Sequence, residues 1–303
     1  MRARPRWCLI TTVAIIVEKP GTDGLDEAVA VLREWQREGT AWQLHAGDLG
    51  WFRRFGAEAT AAALRIWRRD GRILAVGLLD GADLLRLTTD PDVRRDEELA
   101  QRLAEDVIEP ERGVLPPGKV FIEAPKDALI QDLLPERGWY PDEPWTPLRL
   151  DLAEPVKDPG MRIEVIGPDQ GQVWAAVIRA SFDGSTFSME RWTAMASGSA
   201  FAGARCLVAY DDQGDAAAAV AVWSAGQGKP GILEPMGVHR DHRGHGYGKA
   251  ISVAAAAALR ELGSSSAGVY TPSSNVAAVA TYKSAGFEPL PEVRDLTRDA
   301  VGS

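Results

Sequence analysis

Between residues 234 and 249 the chain reads Glu-Pro-Met-Gly-Val-His-Arg-Asp-His-Arg-Gly-His-Gly-Tyr-Gly-Lys. A stretch with strand character, Gly231 to Val238, ends inside it, glycines alternate at 244, 246 and 248, and a helix-forming run opens at Tyr247. This order demands a fold in which a strand passes into a helix through backbone that can adopt positive φ and approach a ligand closely. Amides left free at the helix start face outward, where they and the helix dipole favour an anion such as a pyrophosphate. Arg243 and Lys249 add positive charge at the edges. The glycine spacing is not G-x-G-x-x-G, and no Ser or Thr follows Lys249 as in a Walker loop. The competing reading of the loop alone is a glycine-rich turn that merely starts a helix.

The flanking sequence supplies several strands before this first long strand–loop–helix unit. Met161 to Ile166, Arg205 to Tyr210, Ala216 to Ser224, Ala267 to Tyr270 and the residues after Phe287 have strand character. Pro168 to Ser181, Ser188 to Met195, Tyr247 to Leu262 and Ser274 to Ala285 have helical character. Strands in succession ahead of the helix indicate an α/β fold of mixed α+β type, with a largely antiparallel central sheet flanked by helices rather than a doubly wound parallel one. Asp151 to Gly160, with Pro155, Pro159 and Gly160, is the clearest break and serves as a linker.

With 303 residues, 45% of them hydrophobic and 25% charged, the chain has room for two ordinary soluble domains. A net charge of -9 argues against nucleic acid as a partner and suits a cationic substrate such as an amine. Cys8 and Cys206 lie in separate apolar runs and form no secreted-type framework, so a cytoplasmic protein is expected. Arg2, Arg4 and Arg6 before Trp7 to Val17 imitate a signal peptide, but no cleavage pattern follows. That apolar run is too short to span a bilayer, so no membrane association is expected, and Ile10 to Val17 suits a buried strand.

A second motif follows the loop: Asn275, Ala278, Tyr282 and Gly286-Phe287. On a helix Ala278 and Tyr282 share a face, with Asn275 at its start. By itself this is also the pattern of an ordinary helix with a capping Asn and a core Tyr. Together the two segments resemble the GNAT superfamily of N-acetyltransferases, over roughly residues 161 to 296. Arg243-Gly-His-Gly-Tyr-Gly248 matches its acyl-CoA signature, and the Asn275–Phe287 segment its companion helix.

The resemblance implies a sheet whose fourth and fifth strands splay to admit the pantetheine arm of acetyl-CoA, the co-substrate. Met236, Gly237 and Val238 would bind that arm through their backbone, and the Val238 amide would polarise the thioester carbonyl. Amides of Arg243, Gly244, His245, Gly246, Tyr247, Gly248 and Lys249 would hold the pyrophosphate, with Asn275 and Ala278 beside the coenzyme. Tyr282 looks like the general acid at the departing sulfur. Glu234 is the candidate base for the ammonium, directly or through water; a solvated or ion-paired strand carboxylate is the equal alternative. No metal is implied: His239, His242 and His245 recur on the close-packed loop without a supporting carboxylate or Cys cluster.

The first half repeats the pattern with its functional residues replaced. Arg94 aligns with Arg243 at an offset of 149, Asp127 with Asn275 and Gly138-Trp139 with Gly286-Phe287 at 148. Gly244, Gly246 and Gly248 become Arg95, Glu97 and Leu99, Tyr282 becomes Leu134 and Glu234 becomes Leu85. Asp96 and Glu97 would repel a pyrophosphate. The expectation is a tandem of two GNAT-like domains, architecturally similar to mycothiol synthase: 1–150 degenerate and not CoA-binding, 151–160 a linker, 161–303 catalytic. The expected reaction is acetyl transfer from acetyl-CoA to a primary amine of a small molecule, by a monomer or homodimer. A peptide N-terminus or lysine as acceptor, or an acyl-CoA sensor without turnover, are the alternatives. Asp183, in the Ser181 to Ser188 segment, is a candidate partner for the acceptor ammonium. Trp192 and Trp223 are read as core.

Overall fold

The computed structural model describes residues 14–40 and 43–300. In the first half, β1 (Ile16–Glu18), α1 (Leu25–Trp35), α2 (Ala46–Phe52) and α3 (Ala57–Ala63) precede β2 (Leu64–Arg69), β3 (Arg72–Leu79) and β4 (Leu84–Thr89). Helix α4 (Glu97–Ile108), β5 (Val120–Glu123), α5 (Ile130–Leu133) and β6 (Tyr140–Asp151) complete it. The second half opens with β7 (Arg162–Val165), α6 (Gly171–Ser181), α7 (Met189–Ala196), β8 (Ala204–Tyr210) and β9 (Ala216–Ser224). Then come β10 (Pro230–Val238), α8 (Tyr247–Glu261), β11 (Ser266–Pro272), α9 (Val276–Ser284), β12 (Glu288–Pro289) and β13 (Val293–Arg298).

The elements obey their side-chain periodicity. Leu25, Ala28, Val29, Leu32 and Trp35 form the buried stripe of α1. Alternation in β2 sends Leu64 and Ile66 to one face of the sheet and Trp67 to the other. Helices α1, α2, α6 and α7 share one core on the first face, where the Trp51 and Phe187 rings stack at 5.4 Å. The opposite face is covered by α4 and α5 over the first half and by α8 and α9 over the second.

All strands join one mixed, largely antiparallel sheet in the order β1-β2-β3-β4-β5-β13-β6-β11-β10-β9-β8-β7, with β12 beside β6. Among the described residues the parallel pairs are β4–β5 and β10–β11, one in each half. The halves exchange their last strands. β6 pairs with β11 (Leu148 opposite Val269), and β13 pairs with β5 (Leu296 opposite Ile122). Residues 152–160 lie outside any strand, yet the sheet does not break there, because β6 has already crossed into the second half.

Several elements differ from the sequence expectation. Neither α2 nor β6 was foreseen: α2 is short and contains two glycines, and Pro141, Pro144 and Pro147 disguise β6 as a loop. Helix α3 ends at Ala63, since Ile66 and Trp67 gain more burial from strand alternation than from a helical stripe. Of the strand expected over Ile10 to Val17, residues 10–13 and Cys8 lie outside the described residues. Trp192 and Trp223 are core, each 1% exposed. Among the described residues no helix is long and apolar enough to cross a membrane.

Candidate active site

Strands β10 and β11 pair only over Pro230–Ile232 and Ser266–Gly268. Beyond that, Met236, Gly237 and Val238 pair with β9 alone, and Val269 to Pro272 with β6 alone. The strands therefore splay, as the resemblance implied, and among the described residues one flank of β10 has no strand partner there. A register shift between Leu233 and Met236 in the β9 pairing lies at the mouth of the opening and re-aims Glu234.

A cavity of about 450 Å³ fills the splay and reaches both faces of the sheet. On the α9 side it is lined by Asn275, Ala278 and Tyr282, and in the splay itself by Glu234 and Met236. On the α2 side it meets Gln43, His45 and Asp48, then Asp80, Arg86 and Glu123 of the first half. Trp145 on β6 and Asp295 on β13 complete the wall at the crossover strands. Asn275 is also the N-cap of α9, its Oδ1 accepting from the Ala278 amide at 3.1 Å.

The glycine loop sits outside this cavity, at the end of β10. Gly244 and Gly246 have φ of 82° and 87°, values that a side chain disfavours, and Gly246 is the N-cap of α8. A Cβ on Gly248 would lie 2.9 Å from the Thr281 methyl and 3.4 Å from Val238 Cγ2, so the start of α8 nests between α9 and the end of β10. Arg243 donates from its guanidinium to the Ser181 carbonyl at the end of α6 (2.7 Å). Tyr247 abuts His242, ring centroids 5.8 Å apart. Lys249 lines a separate hollow with Val156 and Asp158 of the connecting segment. His245 meets the His242 carbonyl at 3.3 Å, and His239 accepts from the Asp241 amide at 3.3 Å. Among the described residues no group of three or more His, Cys, Asp or Glu is placed to hold a metal.

The electrostatics of the cavity centre on Arg86. Its guanidinium lies 3.1 Å from Asp48 Oδ1, 3.1 Å from Glu123 Oε2 and 3.7 Å from Asp80. Burial alone would weaken its charge, but these carboxylates outweigh that and hold its pKa well above the ordinary value. Burial raises Glu234 to about 8, helped by the charge of Asp48, to which its carboxyl hydrogen-bonds, and opposed by Arg86. Burial likewise raises Glu123 to about 7 and Asp295 to about 6, again against Arg86. His45 is buried and held neutral, its pKa lowered to about 4. Its Nδ1 accepts from the Gly47 amide at 2.8 Å, so Nε2 carries the proton toward the Pro230 carbonyl at 3.3 Å. Burial, and then the charge of Glu234, push the Tyr282 hydroxyl upward, so at neutral pH it keeps its proton.

The sequence motifs thus divide into a loop group, 237–249, and a cavity group, Glu234, Met236, Asn275, Ala278 and Tyr282. Asp183 is not brought to the cavity: it is almost fully exposed, with its carboxylate 3.9 Å from Arg240, and its neighbour Phe182 lines the wall instead. The first-half residues His45, Asp48, Asp80, Arg86 and Glu123, and Asp295 from β13, were missed. Their one sequence signal is a charge set among apolar strand residues, Arg86 between Leu85 and Leu87 and Glu123 after Val-Phe-Ile.

The fold and the splayed strands are those of a GNAT-type domain. Residues 202–289 match the model of the acetyltransferase (GNAT) domain family, and the chain as a whole has the fold of a tandem GNAT protein. A tandem GNAT protein from the clavulanic acid biosynthesis pathway superposes with a TM-score of 0.61 at 18% identity, covering 95% of this chain and 99% of that one. A GNAT-family acetyltransferase from Colwellia psychrerythraea gives 0.57 at 14%, covering 94% and 99%. A GCN5-related N-acetyltransferase from Sphaerobacter thermophilus gives 0.55 at 17%, covering 94% and 96%. At these identities the likeness is one of fold. No curated protein matches the sequence.

Proposed function

We propose that this chain transfers the acetyl group of acetyl-CoA directly to a primary amine of a small molecule, with the site in the second half. The observation that carries the reading is the convergence of Glu234 and Tyr282 on one cavity in the splay between β10 and β11. A volume of about 450 Å³ is that of a small-molecule site.

In this reading the free flank of β10 at Met236, Gly237 and Val238 takes the pantetheine arm as an added strand. The α8 amides around Gly246, Tyr247 and Gly248 hold the pyrophosphate. Glu234 removes a proton from the ammonium, directly or through water. The neutral amine then attacks the thioester carbonyl, forming a C–N bond, while the Val238 amide stabilises the oxyanion. Collapse breaks the C–S bond, and Tyr282, which keeps its proton at neutral pH, supplies it to the leaving sulfur. The nitrogen of the tetrahedral intermediate gives up a second proton, which restores the Tyr282 hydroxyl; the amide keeps its last N–H, and the proton taken by Glu234 passes to solvent. A pure acyl-CoA sensor has no need of this pair of proton-handling groups.

The first half, by the same reading, carries no coenzyme and instead walls the acceptor side. The test is CoA release with a panel of amines: Tyr282→Phe should fall by about 10²–10⁴ in kcat with acetyl-CoA binding retained. Retained turnover in that variant removes Tyr282 from the chemistry. Failure of saturating acetyl-CoA to raise the melting temperature of the wild type removes the whole reading.

A further inference from the structure

We propose that the acceptor is a small molecule carrying a second cationic group besides the reacting amine, and that Asp295 and Glu123 form the subsite for that cation. This deepens the proposed function and rests on it for the identity of the acceptor. Five carboxyl groups line the cavity, on Asp48, Asp80, Glu123, Glu234 and Asp295, against the single guanidinium of Arg86. Arg86 is already committed to Asp48 and Glu123. Arg54 acts on Asp80 and Glu234 from outside the lining, and even the two protein cations together do not match five carboxyls.

The decisive residue is Asp295. It is only 9% exposed, lines the cavity, and among the described residues its Oδ1 has no hydrogen-bond partner. It lies where the pairing of β13 with β6 shifts register, and continuing the β13–β5 register from Leu296 opposite Ile122 sets it across from Glu123. Two acids facing each other across neighbouring strands repel, and a buried acceptor without a donor costs free energy. A bound ammonium or guanidinium supplies both the charge and the N–H that this arrangement lacks. Glu234 faces Tyr282 in the splay and is left for the reacting nitrogen, while Asp295 and Glu123 lie on the crossover strands toward the first half. The strand exchange therefore has a use: each half contributes a carboxylate to the far end of the acceptor site.

The experiment compares putrescine and cadaverine with n-butylamine and n-pentylamine, measuring kcat/KM by CoA release. Melting temperatures are measured alongside, in the presence of CoA with each amine. The diamines should be preferred over monoamines of equal length, mainly through KM, and should raise the melting temperature more. In Asp295→Asn the preference ratio should drop by about tenfold or more, and the extra thermal shift should vanish. Glu123→Gln is the second variant and should shift the ratio the same way. Turnover of mono- and diamines with equal kcat/KM, or a ratio unmoved in both variants, overturns the subsite and leaves acetyl transfer standing. Asp295-dependent diamine stabilisation without CoA release from any amine upholds the subsite and overturns the transferase reading.

Discussion

Arg94 Nη1 lies 2.9 Å from Asp127 Oδ2, and the pair joins the two first-half positions that correspond to Arg243 and Asn275. Arg94 follows the turn Pro91–Val93 as Arg243 follows Arg240–His242, so the two loops share a frame. In the first half, however, Asp96 caps α4 by accepting from the Leu99 amide at 2.8 Å, and Glu97 and Glu98 fill its first turn. The anion-binding end of that helix already holds its own anions. Titration calorimetry should therefore give one acetyl-CoA per chain. Asp127→Ala should leave that affinity unchanged and cost about 1–3 kcal/mol of stability, since Asp127 is exposed but its partner Arg94 is buried. A stoichiometry of two refutes this account of the first half.

The contact between Gly248 and Thr281 predicts a steric, not a conformational, requirement for glycine. Gly248→Val would drive its side chain into the Thr281 methyl, 2.9 Å from where its Cβ would stand. Separating α8 from α9 should cost about 1–3 kcal/mol and weaken acetyl-CoA binding. Thr281→Ser removes the methyl yet keeps the hydroxyl bond to the Ala277 carbonyl (2.8 Å), so it should restore binding to Gly248→Ala. Absence of rescue in the double variant would place the requirement elsewhere.

Local chemistry made the second half readable. Alternating glycines, a capping Asn and uninterrupted strands such as Ala216–Ser224 state their structure within a few residues. The acceptor side was not readable, because it is made by pairing across the chain: Asp48 meets Arg86, and Asp295 comes beside Glu123 only through the strand exchange. Neither carries a spacing that a linear reading detects. The prolines of β6 concealed the strand that makes the exchange, and the glycines of α2 concealed the helix that carries Asp48.

Proton linkage in the cavity sets a sign for the pH dependence. Glu234, Glu123 and Asp295 are raised to about 8, 7 and 6, so between about pH 4 and 8 the folded chain holds protons that the unfolded chain has lost. Their contribution to stability is full at low pH and falls as pH rises through those values. His45, lowered from 6.5 to about 4, acts oppositely, but only between those two values. Above pH 6.5 the carboxyls act alone, and the melting temperature should fall toward pH 8. The groups that face Glu234 are Asp48, Asp80, Arg86, Arg54 and Tyr282. Removing its charge with Glu234→Gln should flatten the decline. If Glu234 is the base, kcat/KM should rise over the same range, and the Gln variant should lose that rise. A wild-type melting temperature that climbs from pH 6.5 to 8 contradicts the assignment.

The placement of Asp48 depends on two glycines and one indole. Gly47 and Gly50 of α2 lie flat on Trp223 of β9: a Cβ on Gly47 would stand 2.5 Å from Trp223 Cβ, and one on Gly50 would overlap the six-membered ring. The same indole donates from Nε1 to the Glu234 carbonyl at 2.6 Å, so Trp223 sets the height of α2 and the position of Glu234 together. In a free helix Gly→Ala gains about 1 kcal/mol of propensity. Here the overlap reverses the sign, and Gly50→Ala should destabilise by about 1–3 kcal/mol. Lifting α2 also draws Asp48 away from Arg86 and Glu234, so kcat/KM should fall even where the protein remains folded. Trp223→Phe makes room while sacrificing the bond to Glu234, so the two changes should be less than additive in a double-mutant cycle of thermal unfolding. A neutral or stabilising Gly50→Ala would show that α2 has freedom to shift, and the coupling of Asp48 to Glu234 through Trp223 would fall with it.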